Sequence, residues 1–260
     1  YFGKNETFKL PIPIPSRDFG TMQSDGYASL FSQLGNIACP HHSSSIMSME
    51  KYGQNYGFIL YRTTVAGPLI NSEVLIKEIH DRAQIFINGK KQATVYRNDK
   101  EKMITADFPE NENVLEILVE NMGRTNYGCL LNDAKGITEC VLVNYQMQYN
   151  WDVFTMEMDN PDNLIFSDNV VLNSENPSFY RIEFTIDEPA DTYVFPKGFS
   201  KGIIWINGFN LGRFWNEKGP QLTLYLPAPL LKKGINEIIV FECDHASTGE
   251  IELIKEYINK

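Results

Sequence analysis

The chain has 260 residues, of which 43% are apolar and 22% are charged, and its formal net charge is −10. This length suits two domains of ordinary size or one large domain. The acidic balance excludes a nucleic-acid partner, because no basic face is available to displace counterions from a phosphate backbone. No apolar run approaches the roughly 18 residues of a membrane-spanning helix, so we expect no membrane partner either.

The first 50 residues carry few signals of regular structure. Residues 11–15 read Pro-Ile-Pro-Ile-Pro, a pattern that cannot form a central strand, because proline cannot donate to a sheet ladder. Residues 1–4 and 9–14 are candidates for an edge strand. We interpret this section as a lead-in together with the first strands of a domain.

From residue 56 onward the sequence is typical of β-strands. Residues 56–65 are rich in β-branched and aromatic side chains, and residues 82–89 form an apolar run that ends in Asn-Gly. An Asn-Gly pair after such a run is typical of a hairpin, because both turn positions need positive φ. Residues 113–120 form a further strand, and no sustained 3.6-residue period appears. The pattern predicts an all-β protein.

The second half of the chain repeats the first. Residues 201–208 match residues 82–89, and residues 234–242 match residues 113–120, so that Glu242 is predicted to correspond to Glu120. An aromatic side chain also follows each turn asparagine by eight residues, Tyr96 in one copy and Trp215 in the other. Such a duplication indicates repeated units of one topology. The sequence therefore predicts two β-sandwiches.

We place the boundary between these units near residues 144–150. Residues 1–148 would then form the first β-sandwich with its N-terminal lead-in, and residues 149–260 would form the second. The strand at residues 151–158 is expected to open the second unit.

The two copies differ most after their last matched strand, where the first copy carries the longer loop. This loop contains Arg124, Asn126 and Tyr127, and loops held on a rigid sandwich often carry binding residues. The three side chains either meet a polyhydroxylated ligand or another domain, or they have a structural role. In the structural alternative Arg124 binds backbone carbonyls and Tyr127 closes the core.

Four aromatic residues surround the second Asn-Gly turn, and two interpretations of them stay open. They fill a sandwich core or an interdomain seam, or they form an open platform on which a sugar stacks. Aromatics that alternate along a hairpin favour the core or the seam. The four residues are Trp205, Phe209, Phe214 and Trp215.

The sequence offers no local catalytic pair. Glycoside hydrolysis needs two carboxyl groups about 5–9.5 Å apart. Glu116 and Glu120 share a strand face, yet at ~3.3 Å per residue they lie about 13 Å apart. Motifs for serine hydrolases, zinc proteases and nucleotide binding are also missing. We predict no catalytic residue and no cofactor in this chain.

No metal site is predicted either. Cys39, His41 and His42 form one cluster of potential ligands, whereas structural zinc normally uses two closely spaced pairs. A disulfide between Cys129 and Cys140 stays open, because spacing alone does not decide it.

Several motifs identify a family. INGFNLGRFW, followed by GPQLTLYLP, and the segments YGFILYRT, HDRAQIFINGK and LVENMGRTNYG resemble the C-terminal part of the family 35 β-galactosidases. The resemblance implies a parent enzyme with an N-terminal (β/α)8 barrel followed by two jelly-roll β-sandwiches of galactose-binding-domain-like type. Such a parent is a retaining exo-glycosidase that removes terminal β-linked galactose. The barrel and its two catalytic glutamates have no counterpart in this sequence.

The resemblance also implies roles for the loop. Tyr127 is expected to contact substrate when the barrel is present, while Arg124 and Asn126 support the loop. The chain would be the non-catalytic C-terminal region that scaffolds the barrel and shapes its entrance. Expected partners are the barrel, a galactoside and a second copy in a homo-oligomer. An autonomous carbohydrate-binding module for galactosides is the alternative.

The family occurs in bacterial cytoplasm, at cell surfaces and in lysosomes. Four widely spaced cysteines without a CxxC pair favour a reducing compartment such as the bacterial cytoplasm. The sequence does not decide among these locations.

Overall fold

A computed structural model describes residues 15–260. The proline-rich start and the edge strands expected in residues 1–14 lie outside the described residues. Within residues 15–260, the protein is built almost wholly of β-strands, with one α-helix, α1 (Leu30–Ile37), and 3-10 turns at Met49–Tyr52 and Ala228–Leu230. The strands are β1 (Gly20–Gln23), β2 (Gly26–Ser29), β3 (His41–Ser43), β4 (Phe58–Ala66), β5 (Leu69–Ile76), β6 (Ile79–His80), β7 (Arg82–Ile87), β8 (Lys90–Tyr96), β9 (Met103–Phe108), β10 (Glu112–Glu120), β11 (Gly136–Ile137), β12 (Val141–Val143), β13 (Gln146–Met147), β14 (Trp151–Met156), β15 (Ser178–Ile186), β16 (Thr192–Phe195), β17 (Lys201–Ile206), β18 (Phe209–Trp215), β19 (Leu224–Leu226), β20 (Gly234–Glu242) and β21 (Glu250–Ile254).

These strands form two antiparallel sandwiches. In the first, the sheet β13-β12-β5-β9 packs against the sheet β3-β14-β4-β10-β7-β8. In the second, the sheet β18-β17-β20-β15-β2 packs against the sheet β1-β21-β16-β19. The all-β fold and the two sandwiches predicted from the sequence are confirmed.

A third apolar core joins the two sandwiches. It lies between the six-stranded sheet of the first and the five-stranded sheet of the second, where Phe58 packs edge-on against Phe241 with ring centroids 5.2 Å apart. Strand β10 is therefore buried on both faces: Ile117 points into the first sandwich, and its neighbour Leu118 points into the joining core. A strand buried on both faces reads as a nearly continuous apolar run.

The duplication is visible in the strand order. The order β4-β10-β7-β8 in the first sandwich is repeated as β15-β20-β17-β18 in the second, and β12-β5-β9 is repeated as β21-β16-β19. Each sandwich therefore contains the same seven-strand unit.

The boundary predicted between residues 148 and 149 does not follow the strand pairing. Strand β14 pairs with β4 and so belongs to the first sandwich. The early strands β1 and β2 pair with β21 and β15 of the second sandwich. Each sandwich thus takes its flanking strands from outside its own repeat, and matching the repeats alone could not reveal this.

The matched strands β10 and β20 are also offset by one residue from the sequence prediction. Leu115 pairs with Ile87, the last residue of β7, and Ile238 pairs with Ile206, the last residue of β17. Leu115 and Ile238 therefore occupy equivalent places in the two sandwiches. Glu242 therefore corresponds to Val119 and not to Glu120. A one-residue shift moves every side chain to the opposite face of a sheet, so this offset decides which core each carboxylate enters.

Candidate functional site

The longer loop, residues 121–135, leaves β10 at one end of the first sandwich and returns at β11. Its first residue, Asn121, is fixed by side-chain hydrogen bonds to residues that come before it and after it in the chain. The buried Asn121 amide donates to the carbonyl of Asn55 at 3.0 Å, and its Oδ1 accepts from the backbone N–H of Gly123 at 3.0 Å. Asn121 also accepts through its carbonyl from Arg213 Nη1 of the second sandwich at 3.0 Å. The loop therefore starts from a rigid point.

One carboxylate ties the two ends of the loop together. Asp81 Oδ2 accepts from the backbone N–H of Met122 at 2.9 Å, while Lys135 Nζ donates to both oxygens of Asp81 at 2.9 and 2.8 Å. Lys135 is almost fully buried, and an ionic hydrogen bond is stronger where water is excluded. Asp81 closes the base of the loop.

A second carboxylate holds Arg124. Glu50 Oε1 accepts from Arg124 Nη2 at 2.6 Å and from the backbone N–H of Lys135 at 3.0 Å. Burial raises the pKa of Glu50, but hydrogen bonds from Arg124 and from backbone amides outweigh it, so the net pKa lies below its usual value. Glu50 therefore stays ionised at neutral pH and pairs with the guanidinium.

Arg124 also binds backbone, as expected in the structural alternative. Its Nε donates to the carbonyl of Asn55 at 2.8 Å and its Nη1 to that of Asp133 at 3.4 Å. The side chain is 36% exposed, so the guanidinium is braced rather than enclosed.

The returning arm of the loop is held by a further ion pair. Arg97 donates to Asp133 through Nη1 at 2.5 Å and Nη2 at 2.9 Å, a two-point contact between guanidinium and carboxylate. The hydrogen bond from Arg97 lowers the pKa of Asp133, and the hydrogen bond to Asp133 raises the pKa of Arg97. Both groups are charged across the neutral range.

The tip of the loop projects beyond this base. Tyr127 is 87% exposed, and Leu130 and Leu131 are exposed as well. Asn126 is exposed, and its side chain makes no hydrogen bond within residues 15–260. Tyr127 does not close the core, so the structural role considered for it is excluded. The loop presents an aromatic ring and two leucines on a braced stem.

The four aromatic residues do not form one platform. Trp205 lies in the core that joins the sandwiches, and its Nε1 donates to the carbonyl of Asp159 at 3.2 Å. Phe214 lies inside the second sandwich, whereas Phe209 is 54% exposed. The burial of Trp205 and Phe214 prevents them from stacking on a sugar.

Trp215 lies at the seam between the sandwiches. Its ring is parallel to that of Tyr96, at 3° and a centroid distance of 6.3 Å. Lys201 Nζ lies 4.7 Å from the centroid of the same ring, and Lys218 Nζ lies 5.6 Å from it. These contacts are attractive, since a cation is drawn to the face of an indole. Trp215 and its repeat equivalent Tyr96 thus meet each other.

A buried ionic network crosses the same seam, and sequence reasoning missed it. Lys201 donates to Glu120, Arg82 donates to Asp244, and Arg82 Nη1 lies 3.7 Å from Glu120 Oε2. Arg82, Lys201 and Glu120 are almost fully buried. The available signal was a cationic residue at the start of each matched apolar strand, Arg82 in β7 and Lys201 in β17.

A groove of about 590 Å³ opens between the sandwiches beside the loop. Phe58 and Ile203 form its floor, and Arg124, Arg213 and Glu157 line its walls. The floor is apolar and the rim carries charges of both signs. The sequence could not predict this groove, because its walls come from four separate segments.

The described part of the chain also answers the questions of metal ligands, disulfides and membrane-spanning helices. Among residues 15–260, no three His, Cys, Asp or Glu side chains come together as metal ligands. Cys129 and Cys140 are free thiols in the structure, as are Cys39 and Cys243. No helix in this part of the chain has the length and apolar character needed to cross a bilayer.

Comparison with known proteins places these features in a family. Residues 47–157 match the family model described as the first all-beta domain of beta-galactosidase. Residues 177–236 match the model described as the galactose-binding domain of beta-galactosidase. The first of these matches ends after β14, in agreement with the strand pairing.

Curated relatives agree with the family models. Beta-galactosidase 8 of rice (Oryza sativa subsp. japonica) is 34% identical over 95% of this chain and 44% of its own length. The beta-galactosidase of Xanthomonas manihotis is 34% identical over 84% of this chain and 35% of its own length. Human beta-galactosidase is 36% identical over 91% of this chain and 38% of its own length.

The chain spans less than half the length of these relatives. The motifs around both Asn-Gly turns, the two matched sandwiches and the two domain models all agree. The chain belongs to the β-galactosidase family and consists of its C-terminal β-domains.

Proposed function

We propose that these β-domains form the non-catalytic part of a β-galactosidase that hydrolyses terminal β-linked galactose. A catalytic barrel elsewhere in the parent protein supplies the chemistry, and the two sandwiches support it. The relatives support this proposal, because more than half of each one's length lies outside the matched region. The joining core and the buried ionic network supply the rigidity that a scaffold needs.

Within this scaffold, we assign the loop of residues 121–135 to the entrance of the active site. The single observation that carries this proposal is the contrast between its stem and its tip. Asp81 and Glu50 fix the stem, while the ring of Tyr127 is 87% exposed. An exposed aromatic ring on a braced stem can contact a galactoside or the rim of the barrel at a small entropic cost, because the stem is already ordered.

Each of the three loop residues has a separate task in this proposal. Tyr127 contacts the substrate, because an aromatic face packs against the apolar face of a sugar while its hydroxyl bonds to sugar hydroxyls. Arg124 positions the loop through Glu50 and the carbonyl of Asn55. Asn126 is exposed beside Tyr127 and is free to donate to or accept from the same ligand.

The test is the substitution Tyr127→Ala in the full-length parent enzyme. We expect kcat/KM for a chromogenic β-galactoside to fall at least about tenfold, equivalent to about 1.4 kcal/mol of lost transition-state stabilisation. The melting temperature should stay unchanged, since the side chain is exposed. Tyr257→Ala, which truncates another exposed tyrosine on the second sandwich, serves as the control. Unchanged kcat/KM in the Tyr127 variant would contradict the assignment.

A binding measurement separates the scaffold from an autonomous binding module. Calorimetric titration of residues 1–260 with galactosides should give no heat at millimolar ligand if Tyr127 acts only together with the barrel. Saturable binding by the chain alone would favour the module.

A further inference from the structure

We propose that His80 is a positioning residue for the loop of residues 121–135, and that protonation of its ring completes the contact between this loop and the first sandwich. The presentation of Tyr127 to the substrate then depends on pH. This inference rests on the proposed function, because it concerns the loop that we place at the entrance of the active site. It adds a residue that controls the loop and the direction in which pH acts.

Both ring nitrogens of His80 face hydrogen-bond acceptors. His80 ends β6, which pairs with β11 where the loop returns to the sandwich, and its side chain is only 10% exposed. Nδ1 lies 2.6 Å from the carbonyl oxygen of Ala134 and 3.2 Å from Asp133 Oδ1, and both acceptors belong to the returning arm of the loop. On the other side of the ring, Nε2 lies 3.3 Å from Glu78 Oε2. We call these contacts the His80 bridge.

The protonation state of the ring decides how many of these contacts are hydrogen bonds. A carbonyl oxygen only accepts, so Nδ1 carries a proton in order to donate to Ala134. In the neutral ring, Nε2 is then an acceptor itself and faces the carboxylate of Glu78 with no proton between them. In the imidazolium both nitrogens donate, and the ring joins Glu78 to the arm of the loop. The bridge is therefore complete only when His80 is protonated.

The charges of the loop stem agree with this. Among residues 15–260, the ionic contacts of the stem join four carboxylates to three lysine or arginine side chains. The carboxylates are Glu50, Glu78, Asp81 and Asp133, and the cations are Arg97, Arg124 and Lys135. A protonated His80 supplies the fourth positive charge, whereas a neutral ring leaves one negative charge in excess. The effect is felt most by Asp133, which is largely buried beside the ring.

The ion pair on the returning arm keeps its charges where histidine titrates, between about pH 5 and pH 8. The hydrogen bond from Arg97 lowers the pKa of Asp133, and the nearby charge of His80 adds to this effect. The hydrogen bond to Asp133 in turn raises the pKa of Arg97. Asp133 and Arg97 therefore stay ionised throughout this range, while the bridge loses the proton on His80 Nε2 as pH rises.

The direction of the pH effect follows. The bridge is complete at about pH 5 and has lost the hydrogen bond to Glu78 by about pH 8. The bond from Nδ1 to Ala134 remains, but the ring is then held at one nitrogen only, so the arm should open more often. Opening of this arm displaces the tip of the loop, which carries Tyr127.

Hydrogen exchange of the arm tests the bridge without reference to activity. In the chain of residues 1–260, the protection factors of the Asp133 and Lys135 amides should fall at least about threefold from pH 5 to pH 8. A protection factor is a ratio to the intrinsic exchange rate, so the ordinary pH dependence of exchange is already removed. Glu242 titrates in the same range, but it is present in every variant, and comparisons at one pH cancel its contribution.

Three variants locate the effect. His80→Asn keeps a donor near the place of Nδ1 but does not titrate, so its protection factors should be independent of pH. Glu78→Gln removes the carboxylate that faces Nε2, at a side chain that is 52% exposed, and should weaken the decline. His42→Asn is the matched control, because His42 pairs with Asp152 rather than with the loop and is 78% exposed; it should keep the full decline.

The outcomes separate cleanly. An equal decline in His80→Asn and in the unmodified chain would overturn the proposal, as would protection in the unmodified chain that is constant or rises with pH. If His80→Asn does not fold, Glu78→Gln decides, and an undiminished decline in that variant overturns the proposal.

A second arm uses the full-length parent and a chromogenic β-galactoside. The ratio of kcat/KM in His80→Asn to that in the unmodified enzyme should be near 1 at about pH 8 and at least about threefold lower at about pH 5, where only the unmodified enzyme has the complete bridge. The ratio cancels the titration of the catalytic groups, which both proteins share. A ratio that does not change with pH would overturn the link between His80 and the substrate.

The proposed function fails independently, through unchanged kcat/KM in Tyr127→Ala. Exchange that loses its pH dependence in His80→Asn, combined with unchanged kcat/KM in Tyr127→Ala, would retain the His80 bridge and reject the role of the loop at the entrance. Reduced kcat/KM in Tyr127→Ala, combined with unaltered exchange in His80→Asn, would retain the function and reject the bridge.

Discussion

The two sandwiches share one strand order but differ at the end of their equivalent central strands. After β10 the chain makes the loop of residues 121–135, whereas after β20 it makes the short connection of residues 243–249. The long loop carries an exposed tyrosine on a stem braced by two carboxylates. The short connection instead supplies Asp244 to the seam. The first repeat thus forms a projecting loop and the second contributes to the seam between the sandwiches, although both repeats have the same strand order.

The shared framework extends to individual hydrogen bonds. Asn88 donates to Asn113 at 3.0 Å in the first sandwich, and Asn207 donates to Asn236 at 2.9 Å in the second. In both, the second asparagine also bridges the backbone of the preceding turn. The two hairpin turns are alike because these amides satisfy buried backbone groups in both copies.

The largest expected effect on stability concerns the buried ion pair at the seam between the sandwiches. Lys201→Met removes the cation that pairs with buried Glu120, leaving only Arg82 at 3.7 Å. We expect the free energy of unfolding to fall by about 3–5 kcal/mol, because an unpaired buried charge is costly. Urea denaturation measures it. Lys218→Met, which removes an exposed lysine near the same indole ring, should change stability by less than about 0.5 kcal/mol.

The double variant Lys201→Met with Glu120→Leu checks the cause. It should recover most of the lost stability, because both charges leave the seam together. A double variant less stable than the single one would show that the pair is not the reason for the loss.

The next effect tests the equivalence of the repeats. Asn113→Ala and Asn236→Ala each leave buried backbone groups without partners, so each should cost about 2 kcal/mol. Asn111→Ala, at an exposed neighbouring position, is the control. Thermal unfolding of the three variants compares them. If one of the two losses were absent, the turns would not be equivalent in energy.

A pH dependence distinguishes the second sandwich from the first. Burial raises the pKa of Glu242 from 4.5 to about 8, despite hydrogen bonds from three backbone amides, whereas the equivalent position holds Val119. The folded protein therefore favours the protonated acid. The stability it contributes is fully present below pH 4.5 and is lost as pH rises through 8, by up to about 1.4 kcal/mol per pH unit.

The measurement is the free energy of unfolding between about pH 5 and pH 8, the window between the two pKa values. Glu242→Gln should flatten the decline over this range, because glutamine does not ionise. Equal slopes in the variant and the unmodified chain would show that Glu242 is not the titrating group.

The smallest effects concern the loop. Arg124→Ala should lower the free energy of unfolding by about 1 kcal/mol, because it removes hydrogen bonds to Glu50 and Asn55 from a partly exposed site. Tyr127→Ala should change it by less than about 0.5 kcal/mol. Differential scanning calorimetry compares them. A larger loss for Tyr127→Ala would mean that its ring packs within the chain.

Much of this fold could be predicted from local sequence patterns. The Asn-Gly turns predicted both hairpins, because positive φ at two adjacent residues restricts the choice of residue. The repeat predicted two sandwiches, and the contrast in loop length located the candidate site. The sequence left two roles open for Arg124, and the structure shows its bonds to backbone carbonyls, since five donors need partners.

The remaining features depend on long-range pairing. Strand β14 and strands β1 and β2 complete sandwiches distant in sequence, and no local pattern records this exchange. The sequence match paired Glu242 with Glu120, whereas the structure pairs it with Val119. Strands β10 and β20 are buried on both faces, so their sequences lack the alternation of apolar and polar residues that would have fixed the register of the match. The groove and the seam likewise depend on how two sheets meet.

The most direct test of the account is an assay of two purified proteins with a chromogenic β-galactoside. One is the full-length parent, and the other is residues 1–260 alone, shown by a cooperative melting transition to be folded. We predict turnover by the parent and none by the isolated chain. Turnover by the chain alone, abolished by a single Glu→Gln substitution, would contradict the claim that these sandwiches support chemistry performed by another domain.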